Sequence, residues 1–161
     1  MSSIKLDQID LRILEALQND ARLTNLALAD KAGISASPCL RRVRRMEEAG
    51  IILAYETRLN PSLIDLNISA FVSISVEKHG MTQSNRFQEE LMSISEITAI
   101  YTMAGATDFI LQVVAEDLKS YSSTIKQIGG IDGVRDIQSN IVIETVKTIS
   151  KLPLDHLRKK P

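Results

Sequence analysis

Four guanidinium groups fall within five residues of this chain, at Arg41, Arg42, Arg44 and Arg45 in the stretch SASPCLRRVRRMEEAG from Ser35 to Gly50. A guanidinium fork donates in pairs to phosphate oxygens or to the O6/N7 edge of guanine. Between Ser35 and Met46 no acidic residue neutralises them. A second grouping, Gly105-Ala106-Thr107-Asp108, offers other chemistry. A glycine turn exposes backbone N–H groups that suit a carboxylate, and Asp108 could accept from an ammonium group. Each grouping also has a plainer reading. The arginines could be a solvated face, with ion pairs to Glu47 and Glu48. The turn could be a tight hairpin in which Asp108 bonds its own loop.

Other reactive residues form no constellation. Cys39 is the single cysteine, so no intrachain disulfide or cysteine-based zinc site can form. It reads as a packed thiol. His79 and His156 have no ligand-spaced partners, so no metal is expected. Glu89-Glu90 reads as solvated. Gly129-Gly130 lacks the Lys-Ser/Thr of a phosphate loop, and Ser122-Ser123 has no histidine to activate it. No catalytic residues are assigned, and an enzyme is not expected.

The whole chain of 161 residues carries a formal net charge of -1, so the basic character is local. Residues 1–60 hold nine Lys/Arg against eight Asp/Glu, and residues 61–161 hold ten against twelve. With 44% hydrophobic and 24% charged residues, the composition is that of a globular protein with a core of Ile, Leu, Val and Ala. No run of about 18 apolar residues occurs, so no membrane span or membrane partner is expected. A single cysteine and no apolar leader fit a reducing cytoplasm.

Helical rhythm organises the first sixty residues. Leu6-Asp7, Ile9, Ile13, Leu14 and Leu17 predict a helix capped by Asp7 and stopped at Asn19-Asp20. Thr24 caps a second helix that ends at Gly33. Ser35 caps a third, with Pro38 in its first turn and its end at Gly50. Two helices joined by so short a turn predict a helix-turn-helix. Ile51–Leu59 reads as a strand or small ribbon. From Asn67 the period changes to two, and a βαββαβ order follows. Its strands are expected at Ile68–Val76, Glu96–Ala104, Asp108–Ala115 and Val134–Val146, and its helices at Ser84–Ile94 and after Asp117. The tail from Lys147 pairs briefly or frays. The fold class is therefore α+β. Residues 1–51 form the helix-turn-helix domain, 52–66 a β-ribbon and linker, and 67–161 a ferredoxin-like domain.

On a helical wheel, Ala36, Cys39, Leu40, Val43, Met46 and Glu47 share one side of the third helix. Ser37, Pro38, Arg41, Arg42 and Arg45 share the other, with Arg44 at the border. Small residues leading and arginines following suit the major groove of DNA, about 12 Å wide. The usual helix-turn-helix offset from Ala29 and Gly33 would put Arg42 in the core. The expectation is therefore a turn about one residue longer, with Leu40 and Val43 inside.

The chain resembles the Lrp/AsnC family of bacterial and archaeal transcription regulators. The resemblance rests on LDQIDLRILEALQNDARLTNLALADKAGISASPCLRRVRRMEEAGII, on YETRLNP and on GATDFILQV. It implies a (winged) helix-turn-helix that binds double-stranded DNA, and the outward face of the third helix then supplies the contacts: Ser37, Pro38, Arg41, Arg42, Arg44 and Arg45, with Ser35 at the helix N-terminus. It implies a C-terminal domain for regulation of amino-acid metabolism (RAM), whose sheets pair two chains and whose dimers assemble into octamers. An amino-acid effector, with no other cofactor, would lie between dimers. It would sit against Gly105, Ala106, Thr107 and Asp108, with Tyr101 and Met103, and with Gln138 and Ser139 from a neighbouring chain. The small Ala106 departs from the acidic or bulky residue of many relatives. The alternative is a nucleoid-associated architectural protein with weak sequence preference.

Overall fold

The computed structural model describes residues 4–77, 81–148 and 151–158. His79, Lys159, Lys160 and Pro161 lie outside them. The chain divides into two units, one from Met1–Arg58 with Lys147–Pro161, the other Leu59–Val146.

Three helices open the first unit: α1 (Gln8–Asn19), α2 (Asn25–Ala32) and α3 (Ala36–Glu48). Local chemistry sets their ends. Asp7 accepts from the N–H groups of Ile9 and Asp10, and the Asp10 carboxylate reaches back to the Asp7 N–H at 3.1 Å. That reciprocal box satisfies donors that the first helical turn leaves unpaired. Thr24 caps α2 through the Ala27 N–H. Gly33 adopts φ 73°, the left-handed C-cap that ends α2. Gly33, Ile34 and Ser35 are the whole turn to α3. Ile13, Leu28, Ala29, Ala32, Cys39 and Met46 form the core between the helices. Each large apolar side chain removed from water there contributes about 1.5–3 kcal/mol.

The rotation of α3 differs from the expected one. Cys39, Val43 and Met46 face inward, but Leu40 is 40% exposed. Arg42 takes an inward position instead, and no longer turn is needed. The cause is Asp10, whose side chain is 1% exposed. Its two oxygens accept from Arg42 at 2.8 Å and from Arg45 at 2.6 Å. Arg42 also reaches Asp7 at 2.7 Å. Burial by itself raises the Asp7 pKa. Hydrogen bonds from the Asp10 N–H and the Arg42 guanidinium outweigh it and hold that carboxyl below its ordinary value. Hydrogen bonds to Asp10 and then Asp7 raise Arg42 above its own.

The segment after α3 is extended but has no strand partner, so the expected strand at Ile51–Leu59 is not formed within the chain. Tyr55 donates from its hydroxyl to Glu47 at 2.8 Å. Burial, then that carboxylate, pushes the phenol up to about 12. Residues 151–158 of the tail do not fray as a solvated end. The Gln18 side chain donates to the Leu152 carbonyl at 3.3 Å and accepts from its N–H at 2.6 Å. Lys151 bonds Asn19, Arg158 pairs with Glu15, and Leu154 packs on the helical core. A short helix, α6 (Asp155–Arg158), lies in this tail. These contacts place the described tail with the N-terminal helices, not in the second domain as the sequence suggested.

The second unit is a four-stranded antiparallel sheet ordered β2-β3-β1-β4. Its elements are β1 (Ile68–Val76), α4 (Met81–Met92), β2 (Ile97–Thr102), β3 (Phe109–Ala115), α5 (Leu118–Gly129) and β4 (Val134–Ile141). This is the expected ferredoxin-like order. Ala70, Val72, Ile74, Leu111 and Val113 form a core with Leu91 of α4 and Ile128 of α5. Alternation sends Phe71, Tyr101, Ile110 and Val114 to the opposite face. Phe71 is 44% and Tyr101 50% exposed there. The fourth strand stops at Ile141, not Val146: its last pair is Ala70 with Ile141, and only the Val142 N–H reaches further, to the Ser69 carbonyl at 2.8 Å. Ile143 is consequently fully exposed.

Replacing Asp10 by Ala strands two guanidiniums. It is expected to lower the unfolding free energy by about 3 kcal/mol, the low end for a broken buried pair because both arginines keep some water. Urea denaturation measures this, and an unchanged midpoint would show that the pair carries no net stability. The lowered Asp7 pKa gives a contribution that is complete above the unfolded carboxylate value of about 3.9 and lost as pH falls below it. Asp7→Asn should therefore flatten the acid limb of the stability profile.

Candidate nucleic-acid interface and effector site

The DNA-facing residues expected from sequence divide into two sets on α3. Ser37, Arg41 and Arg44 are exposed, on one stripe of the helix. Together with Arg45, Leu40 and Glu48 they line a depression of about 450 Å³. Arg42 is half-buried and held by Asp7 and Asp10, so its guanidinium is committed within the fold. Arg45 is shared: one nitrogen holds Asp10, while the side chain stays 43% exposed. Pro38 is half-buried in the first turn. Ser35 stands at the N-cap position of α3, exposed, and its hydroxyl makes no cap bond. That leaves the first N–H groups of the helix without a side-chain acceptor, and the positive end of the helix dipole lies there.

The effector residues sit at one end of the sheet, between β2 and β3. Met103, Gly105 and Ala106 are exposed. The Asp108 carboxylate accepts from the Val76 N–H at 2.9 Å, and the Thr107 hydroxyl donates to the Ile74 carbonyl at 2.8 Å. Both side chains thus fasten the loop to β1, leaving Asp108 with one oxygen beyond that bond. Gly105 does not use a left-handed backbone, and a Cβ there would meet nothing within 4 Å.

The register explains which residues share a surface. Tyr101 pairs with Ile110, Ile110 with Ser73, and Ser73 with Gln138, one row across the helix-free face. Tyr101 and Gln138 stand at its two ends, three strand spacings or about 14 Å apart. Ser139 pairs with Val72 and points to the other face. One chain therefore does not bring Gln138 and Ser139 to the loop.

Sequence reasoning missed Leu40 and Asp10. The signal was present in the wheel itself. At about 100° per residue, Arg42 lies about 65° from the mean direction of Cys39, Val43 and Met46, whereas Leu40 lies about 95° away. Position outranked polarity because a partner carboxylate was waiting. Among the described residues, no group of three His, Cys, Asp or Glu is placed to hold a metal ion. Nor is any described helix long and apolar enough to cross a membrane.

Comparison with known proteins agrees with this architecture. Residues 6–52 match a winged helix-turn-helix DNA-binding family, and residues 69–152 match the Lrp/AsnC ligand binding domain. A leucine-responsive regulatory protein of Rhizobium meliloti is 37% identical over 145 residues, 89% of this chain and 93% of that one. The Bkd operon transcriptional regulator of Pseudomonas aeruginosa is 38% identical over 93% of this chain and 99% of its own. A transcriptional regulator of Neisseria meningitidis, solved as its L-Met complex, superposes with a TM-score of 0.89 at 34% identity. That match covers 94% of this chain and 99% of that one. With a DNA-binding helix-turn-helix, a ligand-binding sheet domain and these relatives along nearly its whole length, the chain belongs to the Lrp/AsnC family of transcriptional regulators, which are not enzymes.

Proposed function

We propose that the chain is a sequence-specific regulator of amino-acid metabolism whose DNA binding responds to an amino acid held between copies. The exposed stripe Ser37, Arg41 and Arg44 on the second helix of the helix-turn-helix carries this reading. Arg41 and Arg44 reach guanine edges in the major groove. Arg45 keeps enough exposure to meet a phosphate, and Ser35, Ser37 and Pro38 lie against the backbone at the helix N-terminus. Arg42 serves the interface from behind, by fixing α3. Two copies present two such helices to a pseudo-palindromic site.

The partly apolar, helix-free sheet face supports pairing of two chains there, and dimers then associate towards an octamer. The loop Met103–Asp108 supplies one wall of the effector site, and Gln138 of another copy a second. The free oxygen of Asp108 takes the effector ammonium. The small Ala106 leaves room for a long side chain, and the L-Met complex of the Neisseria meningitidis regulator makes methionine the first probe.

Arg41→Ala and Arg44→Ala should each weaken operator binding by roughly 1–3 kcal/mol with little change in melting temperature. Titrations on a selected operator check this, and unchanged affinity in both variants would remove the stripe from the interface. A thermal-shift screen over the twenty amino acids should give hits at millimolar ligand. Ala106→Leu should erase that shift while leaving the unliganded melting temperature in place, since Asp108 keeps its bond to β1. No hit would argue for the architectural alternative. Phe71→Asp, on the open sheet face, should reduce the assembly mass seen by size exclusion with light scattering.

A further inference from the structure

We propose that Leu40 reads a thymine methyl group, making it an apolar specificity determinant set between the arginines of α3. This deepens the DNA-binding reading and rests on it. Leu40 is 40% exposed, and it is absent from the side chains packed on the N-terminal core. The side chains that share its depression are polar or charged: Ser37, Arg41, Arg44, Arg45 and Glu48. The exposed part of that leucine is apolar surface left in water, with no gain to its own unit. A local rule broken without an internal gain marks a functional position.

The geometry says what the leucine meets. At about 100° per residue, Ser37, Leu40, Arg41 and Arg44 fall within roughly 100° of helix circumference, so all four face one surface. Ser37, one turn earlier, is small and lets that end of the helix approach closely. The only apolar group that base pairs display in the major groove is the thymine C5 methyl. Leu40 and Arg44 are four residues apart, about 6 Å along the helix. That is under two base-pair steps of about 3.4 Å. Leu40 therefore recognises a thymine within two base pairs of a guanine held by Arg41 or Arg44. Its outward direction is not accidental. Asp10 draws Arg42 and Arg45 to one side of the helix, and the same rotation turns Leu40 out.

The test removes only the methyl. Duplexes enriched by the full-length protein from a random library are resynthesised with each thymine replaced in turn by deoxyuridine. One thymine in each half-site is expected to cost roughly fourfold in affinity, the value of one buried methyl group. Leu40→Ala should bind the thymine and deoxyuridine duplexes equally, with unchanged melting temperature. If every deoxyuridine duplex binds the wild-type protein like its parent, the proposal fails while sequence-specific binding stands. If Leu40→Ala keeps the full deoxyuridine penalty, another residue reads the methyl and the proposal fails as well. If the protein enriches no sequence, the sequence-specific reading falls and this proposal with it.

Discussion

The buried carboxylate of Asp10 fixes the helix-turn-helix. One side chain completes the cap of α1, binds Arg42 and binds Arg45. Each bond is charge-assisted or closes an otherwise unpaired donor, and all three end on a carboxylate that is nearly excluded from water. A buried ion pair of this kind is weak evidence for stability but well suited to specifying one arrangement. Here it specifies the angular setting of α3. Had hydrophobic packing alone decided, Leu40 would have gone inward and four guanidiniums would have fanned outward. With Asp10 in place, two of the four are drawn to one flank. The surface left is mixed, with a serine, a leucine and two free arginines.

The second unit obeys a simpler constraint. Strand alternation divides every residue between a face covered by α4 and α5 and a face that is open. The ladder between β1 and β4 closes at Ala70 with Ile141, and a single further bond follows, from the Val142 N–H to the Ser69 carbonyl. The segment after α3 has no strand partner in the chain, although its residues favour a strand. Sheet structure always needs a second strand, so Leu53–Leu59 stays exposed and outside any strand in one copy.

Local and non-local chemistry explain what could be read in advance. The caps at Asp7, Thr24 and Asp117 were legible because cap and helix are adjacent in sequence. The βαββαβ order was legible because period two and period 3.6 differ so plainly. Arg42 was misplaced because its partner Asp10 lies 32 residues away. Leu40 was misplaced for the same reason, since polarity was weighed before position. Ser35 stands at the right place but does not make the bond that its residue type suggested. The effector loop was legible as a turn, yet its fastening through Val76 and Ile74 depends on a strand more than thirty residues earlier. The spread of Gln138 and Ser139 to opposite faces was legible in principle, because adjacent strand residues never share a face.

The return of the tail to α1 has a temporal meaning. Gln18 and Leu152 are 134 residues apart, so their two hydrogen bonds close a very long loop. At ribosomal rates of about 5–20 residues per second, α1 to α3 emerge roughly five to twenty seconds before residues 151–158 can reach them. During that interval the helices hold their own core, but the apolar wall formed by Leu6, Leu14 and Leu17 waits for Leu152, Leu154 and Leu157. The unit that emerges first is thus completed by residues synthesised after the whole sheet. A nascent chain carries its reading helix before it carries the strap that steadies it.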